Sequence, residues 1–426
     1  MASWINVSDI SDFSLHNLPY GVFSTNGKDA RIGVAIGDWV LDLQALVQGG
    51  VFDDIGFDVK TLGQPTLNAY AALEKRVHRA VRSTIQKLLE KDTKLGHVLK
   101  DNKPLHDRAF YPMTAVQMHL PMAIGDYSDF FVGLHHAKTC AGLIKPGQTI
   151  EQLCPCFWNM PIAYNGRSSS VVVSGTPFHR PVCQFLVDGK AQFGPSQKLD
   201  FEVEFAAFIG RGNDLGSPID VNEAEDHIFG FVLLNDWSAR DIQFYEATLM
   251  GPFNGKGFCT TISPWIVPLE ALEPFRVAPK ETPRELPDYL IEKRKKSAYD
   301  IPIRATLEVD SQKYRVADCN TNNVVFSFSQ MIAHHTRAGV PLRTGDLIAT
   351  GTLSGEGQEA AGCLFEKSMG GKEACDMMAA DSSKAGVRRI WCEDNDVVTF
   401  TAQAKVPNGS GNVGFGTCSG KLLPAI

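Results

Sequence analysis

Residues 199–210, L-D-F-E-V-E-F-A-A-F-I-G, constrain the fold of this chain more than any other stretch. Phe201, Val203 and Phe205 alternate with Asp200, Glu202 and Glu204, the period-2 pattern of a β-strand with apolar residues on one face and acids on the other. The strand runs directly into A-A-F-I-G, which places it in the middle of a domain rather than at a solvated rim. Carboxylates side by side in such surroundings repel each other and are costly to desolvate unless a cation or a proton lies between them. A hard metal ion is the natural counter-charge.

Similar strand patterns recur through the chain. Residues 17–42 read as short strands and turns, a small β-barrel-like start, and residues 66–89 show the apolar spacing of one amphipathic helix or a pair of them. A polar, Pro-containing stretch at 101–111 precedes longer β-like runs, so the domain boundary is placed near 112–119, dividing 1–118 from 119–426. In the second part, strands are expected at 169–174, 199–209, 228–235, 301–309, 346–350 and 396–404, separated by Gly and Pro. The fold class is therefore mainly β, with a large β-sandwich or roll as its main body. Residues 268–296, rich in Pro and charge, and 356–384, rich in Gly, Ala and Met, read as excursions from the sheet.

The net charge of -7 argues against a nucleic-acid footprint, and the basic run from Lys293 to Lys296 reads as a solvated loop. The first ten residues lack the pattern of a signal peptide and no window approaches ~18 uninterrupted apolar residues, so no membrane role and a cytoplasmic location are expected. Ten cysteines without C-x-x-C spacing read as reduced thiols, and the C-P-C at Cys154 and Cys156 lacks a second pair to complete a zinc site.

Three more segments combine polar groups with tight apolar or Gly context. In 124–136, Asp126 and Asp129 precede two aromatic residues and the pair His135 and His136. In 229–243 an apolar strand ends in Asn235 and Asp236, with Arg240 and Gln243 following within two helical turns. In 251–261, Lys256 sits between glycines that allow close backbone approach to a ligand. Taken singly, each has an ordinary structural explanation as a turn, a surface loop or a packed histidine. Together they could supply Glu202, Glu204, Asp236 and one of Asp126 or Asp129 to a divalent cation, with Arg240 and Lys256 offsetting the excess negative charge.

The motifs N-L-P-Y-G-V-F-S, I-G-D-Y-S-D-F, G-R-S-S-S-V-V-V-S-G-T-P, L-D-F-E-V-E, N-D-W-S-A-R-D-I-Q, G-P-F-N-G-K, T-T-I-S-P-W, L-R-T-G-D-L-I-A-T-G-T-L-S-G and V-G-F-G-T-C-S-G-K occur in this order. On them the chain resembles the fumarylacetoacetase family over nearly its full length. The resemblance implies an SH3-like N-terminal domain, a β-roll catalytic domain, a homodimer, and a Ca²⁺ or Mg²⁺ ion, with Mn²⁺ as a further candidate. It implies hydrolysis of a C–C bond in a small diketo acid, the last reaction of tyrosine and phenylalanine catabolism. Carried over by motif, the metal acids are Asp129, Glu202, Glu204 and Asp236, the base is His136, and Glu366 orients it. Arg240, Gln243 and Lys256 match the groups that stabilise negative charge. Tyr164 and Thr352 match substrate contacts, and Thr260 matches a second cation position beside Lys256.

The substrate-gripping positions depart from the family pattern. Phe131 stands where the family has Tyr, Ala247 where it has a second Tyr, Lys145 where it has Arg, and Asn165 where it has His. Such losses remove hydrogen bonds to a polar substrate group, which weakens its selection. Two readings follow: an ordinary fumarylacetoacetase, or a paralogue acting on a different diketone in secondary metabolism or aromatic degradation. The same fold hosts oxo-acid decarboxylases and isomerases, which need no water-activating histidine, and a non-catalytic Ca²⁺ binder would not need Arg240, Gln243 and Lys256.

Overall fold

The computed structural model of the protein describes residues 2–379, 385–407, 409 and 411–426, without the side chains of 248 and 249. The N-terminal part is organised on a five-stranded antiparallel sheet, ordered Phe110–Pro112, Trp39–Asp42, Lys28–Ile36, Tyr20–Thr25, Gln117–His119. The helical pattern at 66–89 resolves into two helices, Asn68–Ala71 and Lys75–Leu89. In the longer one Val77, Val81, Ile85, Leu88 and Leu89 recur at the helical period and are all buried, so one apolar stripe docks the helix on this sheet's core.

The rest of the chain is built on two larger sheets. One contains Ala163–Gly166, Tyr127–Phe130, Leu347–Ala349, Val203–Ile209, Ile228–Asp236, Thr260–Ile262 and Val171–Val173 in that order, with Val267–Pro268 pairing beside Ile228–Asp236. The other runs Val387–Arg389, Cys375–Ala379, Gln312–Asn320, Pro302–Val309, Val397–Lys405, Asn412–Leu423, Phe178–His179. The fold is thus mainly β, with a small β domain and a large curled β-sheet body, as the strand spacing predicts.

Both faces of the first large sheet are covered. Phe205 and Phe231 point to the core shared with the second large sheet, where their rings stack at 5.1 Å and meet Phe328 and Phe415. The intervening Ala206, Phe208, Val232 and Leu234 join the core of the N-terminal domain. A strand buried on two faces reads as a continuous apolar run, which is why F-V-L-L precedes Asn235 without polar alternation. Burying each such Phe contributes roughly 1.5–3 kcal/mol, so the strands that carry the acids are clamped from both sides.

Two stretches differ from expectation. The strand expected over 199–209 is interrupted: Leu199–Asp200 pairs with Ser238–Ala239, and Val203–Ile209 restarts between Ile228–Asp236 and Leu347–Ala349. The stretch 356–384, expected as an excursion, contains the helix Leu364–Lys367 and then the strand Cys375–Ala379, which joins the second large sheet. Its Gly and Met content hid that strand, and its last five residues lie outside the described ones. No helix among the described residues is long and apolar enough to cross a membrane.

Candidate active site

The acids meet at the ends of adjacent strands. Asp129 sits on Tyr127–Phe130 and Glu204 on Val203–Ile209, with Glu202 in the interruption just before it. Asp236 closes Ile228–Asp236 opposite Thr260, and Asp129 lies opposite both Ala349 and Tyr164. One oxygen from each of Asp129, Glu202, Glu204 and Asp236 lies within 4.8 Å of the others, and all four residues are buried. Asp126, the alternative to Asp129, instead pairs with Arg343 at the surface.

The cage is incompletely satisfied. Lys256 pairs with Glu202 and lies 2.5 Å from Asp236 Oδ2, which also accepts the Tyr164 hydroxyl at 2.5 Å. Arg240 Nη1 lies 2.9 Å from Glu202 Oε1, and its Nη1 also donates to Gln243 Oε1 at 3.2 Å. Yet both Glu204 oxygens, Asp129 Oδ1 and Asp236 Oδ1 are buried without a hydrogen-bond partner. Burial first, then the neighbouring carboxylates, hold Glu204 and Asp129 well above the usual carboxylate range. Burial acts the same way on Glu202 but is overcome by Lys256 and Arg240, which pull it below that range. Burial disfavours the Lys256 ammonium, while Asp236 and Glu202 hold it protonated. Orphaned carboxylate oxygens converging on one point, all hard donors, fit a divalent cation such as Ca²⁺ or Mg²⁺, whose charge the cage lacks.

His136 is set beside this cage. Helix Leu134–Ile144 starts after Gly133, where an added Cβ would collide with the Thr352 carbonyl, and Gly351, at φ 73°, has its Cα hydrogen against Phe130. These two close approaches lay the loop after Leu347–Ala349 across the helix start, bringing Thr352 and Ser354 near His136. Nδ1 of His136 meets Glu366 Oε2 at 2.8 Å, so with that nitrogen donating, Nε2 is left to face the cage, 4.0 Å from Glu202 Oε1 and 3.5 Å from Cys140 Sγ. The Ser354 hydroxyl and the Cys363 thiol, at 3.2 Å, also donate to Glu366 Oε2. Burial opposes charge on His136, but the Cys140 sulfur and Glu366 outweigh it and raise the imidazole well above its usual range. Burial likewise opposes charge on Glu366, and His136, Ser354 and Cys363 keep it ionised.

A cavity of about 310 Å³ opens on this group. Its lining includes Asp129, Glu202, Glu204, His136, Arg240, Gln243, Lys256, Tyr164 and Thr352, whose hydroxyl is buried and unpartnered. The rest of the lining is largely apolar and includes Phe131, Ile144, Ile162, Phe244, Pro252 and Phe365. Phe131 meets His136 edge-on at 5.5 Å between ring centres. Lys145 is exposed past the end of the helix that carries His136, and Ala247 is half-buried in helix Arg240–Met250; neither belongs to the cavity wall.

The sequence pattern places Asp200 on one strand face with Glu202 and Glu204 and misses several neighbours of the site. Asp200 is not part of the cage, because the strand breaks after it: its carboxylate receives Arg240 Nε at 2.9 Å and the backbone N–H groups of Leu364 and Phe365 at 2.7 and 2.9 Å. Asp200 therefore holds both Arg240 and the helix bearing Glu366. Ser354, in the motif T-L-S-G, and Cys363, three residues before Glu366, carried no periodic signal.

Comparison with known proteins agrees with this geometry. The family described as "Fumarylacetoacetate (FAA) hydrolase C-terminal" matches residues 135–418, and "Fumarylacetoacetase N-terminal" matches residues 16–121. The chain is 45% identical over 433 residues to the fumarylacetoacetase of Arabidopsis thaliana, covering 100% of this chain and 99% of that one. It is 41% identical over 431 residues to that of Rattus norvegicus, with the same coverage. Among solved structures, a fumarylacetoacetate hydrolase from Exiguobacterium antarcticum shares the fold at a TM-score of 0.51 and 17% identity, over 96% of this chain and 99% of that one.

Proposed function

This chain belongs to the fumarylacetoacetase family, and from that membership we propose that it is a metal-dependent hydrolase cleaving a C–C bond of fumarylacetoacetate to fumarate and acetoacetate, in tyrosine and phenylalanine catabolism. The observation that carries the proposal is the pairing of a buried, cation-demanding acid cage with a His136–Glu366 dyad whose Nε2 faces it.

Asp129, Glu202, Glu204 and Asp236 would hold the divalent ion, Ca²⁺ or Mg²⁺ with Mn²⁺ as a further candidate, which would supply Lewis-acid polarisation of the diketone. Glu366 accepts the Nδ1–H of His136, and the positive charge of an ion in the adjoining cage would oppose the imidazolium that the metal-free site favours, leaving Nε2 unprotonated as the base. Nε2 takes a proton from water as the water oxygen bonds to the carbonyl carbon. The C–C bond then breaks, its electron pair passes to the departing enolate, and that carbon takes the proton back from Nε2. Arg240, Gln243 and Lys256 lie on the same cavity wall and stabilise the oxyanion, a donor of this kind contributing ~3 kcal/mol. Lys256 acts as a counter-charge, since its protonated amine has no lone pair to offer; Thr260, opposite Asp236, is assigned to a second cation position beside it.

The dyad also favours hydrolysis over decarboxylation or isomerisation, which need no water-activating base. The apolar residues of the cavity lining support a second reading, a paralogue that takes a different, less acidic diketone. Phe131 has no hydroxyl to offer a distal carboxylate, while Lys145, Ala247 and the exposed Asn165, the other departures, sit away from the wall. Turnover of a diketone panel with Mg²⁺, Mn²⁺ and Ca²⁺ separates the readings. Efficient cleavage of fumarylacetoacetate supports the first; activity on it only after Phe131→Tyr and Ala247→Tyr supports the second. For its setting we infer a cytoplasmic homodimer with domains 1–118 and 119–426, on the family resemblance and on ten free thiols that suit a reducing compartment.

A further inference from the structure

The catalytic dyad is surrounded by thiols that the proposed hydrolysis does not use. Cys363 Sγ lies 3.2 Å from Glu366 Oε2, and Cys140 Sγ lies 3.7 Å from His136 Nδ1 and 3.5 Å from Nε2. His136, Cys363 and Glu366 each present one donor atom within 4.8 Å of the other two, and all three are buried. This cluster is distinct from the acid cage in place and in chemistry. The cage offers oxygen alone, whereas the cluster offers nitrogen, sulfur and oxygen, the donor set that selects borderline and soft cations over Mg²⁺ or Ca²⁺.

We propose that His136 Nδ1, Cys363 Sγ and Glu366 form a second, inhibitory site for a thiophilic divalent cation such as Zn²⁺, lying behind the catalytic base. Tetrahedral coordination with ordinary Zn–N, Zn–O and Zn–S bonds spaces its ligand atoms about 3.3–3.8 Å apart. The Cys363–Glu366 spacing of 3.2 Å already approaches this, and the His136–Glu366 spacing of 2.8 Å must open by roughly half an ångström as a metal replaces the shared proton. A water completes the fourth position. On binding, the Cys363 S–H proton leaves to solvent and the Nδ1 proton is relocated to Nε2. The resulting site holds Zn²⁺, a carboxylate, a thiolate and a neutral imidazole, whose charges sum to zero, the balance a buried ionic group needs.

The functional consequence follows from the tautomer. With the metal on Nδ1, Nε2 carries a proton and cannot take one from water, so turnover stops although the cage keeps its own ion and the cavity stays open. This consequence rests on the hydrolase reading above; the binding itself does not.

Full-length protein saturated with Mg²⁺ tests both parts. Co²⁺ added to it is expected to give the near-ultraviolet thiolate-to-cobalt charge-transfer absorption, which an all-oxygen cage cannot produce, and Zn²⁺ is expected to abolish the band by displacement. In Cys363→Ser the band disappears and the Zn²⁺ concentration giving half-inhibition rises at least about tenfold, each protein being referred to its own zinc-free rate. Absence of the band in the unaltered chain overturns the site, as does its survival in Cys363→Ser or its loss in Cys140→Ser alone. A band accompanied by unchanged turnover at saturating Zn²⁺ overturns the inhibition. If Cys363→Ser does not fold, Cys363→Ala takes its place, and the spectrum of the unaltered chain already decides whether a thiolate binds. A band with no diketone turned over under any condition breaks the hydrolase reading and leaves the cation site standing.

Discussion

Two buried ionic groups in this molecule solve the same electrostatic problem in opposite ways. In the N-terminal sheet, Arg31 Nε meets Asp42 Oδ2 at 2.6 Å, Arg31 Nη1 donates to the Asp29 carbonyl at 3.0 Å, and the guanidinium lies 4.3 Å from the centre of the Phe23 ring. The other Asp42 oxygen accepts the Ala45 N–H and caps helix Leu43–Gln48. One charge matches one charge, and the oxygens of Asp42 are both used. In the acid cage four carboxylates face Lys256 and a share of Arg240, and four of their oxygens have no partner. A buried pair completed by its own chain holds structure together; a buried cluster left short of positive charge is built to receive it from outside.

The largest effect that tests this contrast is on turnover. His136→Ala is expected to lower kcat by roughly 10²–10⁴-fold or more, while the dialysed protein keeps its divalent metal, because the base touches the cage without belonging to it. Elemental analysis alongside rates checks both halves, and metal loss in this variant would place His136 among the ligands. Glu204→Ala comes next. It removes the one cage acid whose two oxygens are both unpartnered, so metal content and turnover should fall together. Full occupancy in that variant would show that the orphaned oxygens do not mark the ion.

The structural pair predicts the reverse pattern. Arg31→Met strands Asp42 in the N-terminal core and should cost about 3–5 kcal/mol of stability, read from urea unfolding, with metal content and kcat per folded molecule preserved. Replacing both residues by apolar ones should recover much of that loss but not all. The Asp42 cap on helix Leu43–Gln48 is then gone, at a cost of about 1 kcal/mol. A large drop in kcat with either change would mean that the N-terminal domain contributes to the site rather than only bracing its sheet.

The difference between the two groups also explains what could be read from sequence. Glu202 and Glu204 announced themselves because a period-2 acid pattern running into A-A-F-I-G cannot be solvated. Arg31 and Asp42 did not, because a matched pair in short alternating strands looks like ordinary polar edges. The strand interruption after Asp200 was hidden for a local reason. Pairing switches there from Ser238–Ala239 to Ile228–Asp236, a tertiary event with no turn residue to mark it, so the alternation puts Asp200 on the face of Glu202 and Glu204 although its carboxylate holds Arg240. Glu366 was reached through family motifs, since the Gly- and Met-rich stretch around it has no periodicity of its own. The helix that bears it is fixed from outside, by the Asp200 carboxylate on the N–H groups of Leu364 and Phe365.

The smallest effect lies in the pH dependence of stability, and its sign separates the metal-free cage from the loaded one. Without an ion, burial and mutual repulsion hold Glu204 and Asp129 above the usual carboxylate range. The folded chain then binds more protons than the unfolded one between that range and the raised values. Stability contributed by these groups is complete below the unfolded value and is lost as pH rises. Glu202 has the opposite sign, but its shift is downward and its window lies below the usual carboxylate range, outside the interval from about pH 5 to about pH 8. Protein stripped with chelator should therefore lose urea resistance across that interval. With excess Mg²⁺ the carboxylates stay ionised in the folded state and protons compete with the ion, so resistance should rise instead; ion at 100 times its dissociation constant adds about 2.7 kcal/mol. Parallel curves for the stripped and loaded proteins would mean that Lys256 and Arg240 already balance the cage, and the contrast with Arg31 and Asp42 would disappear.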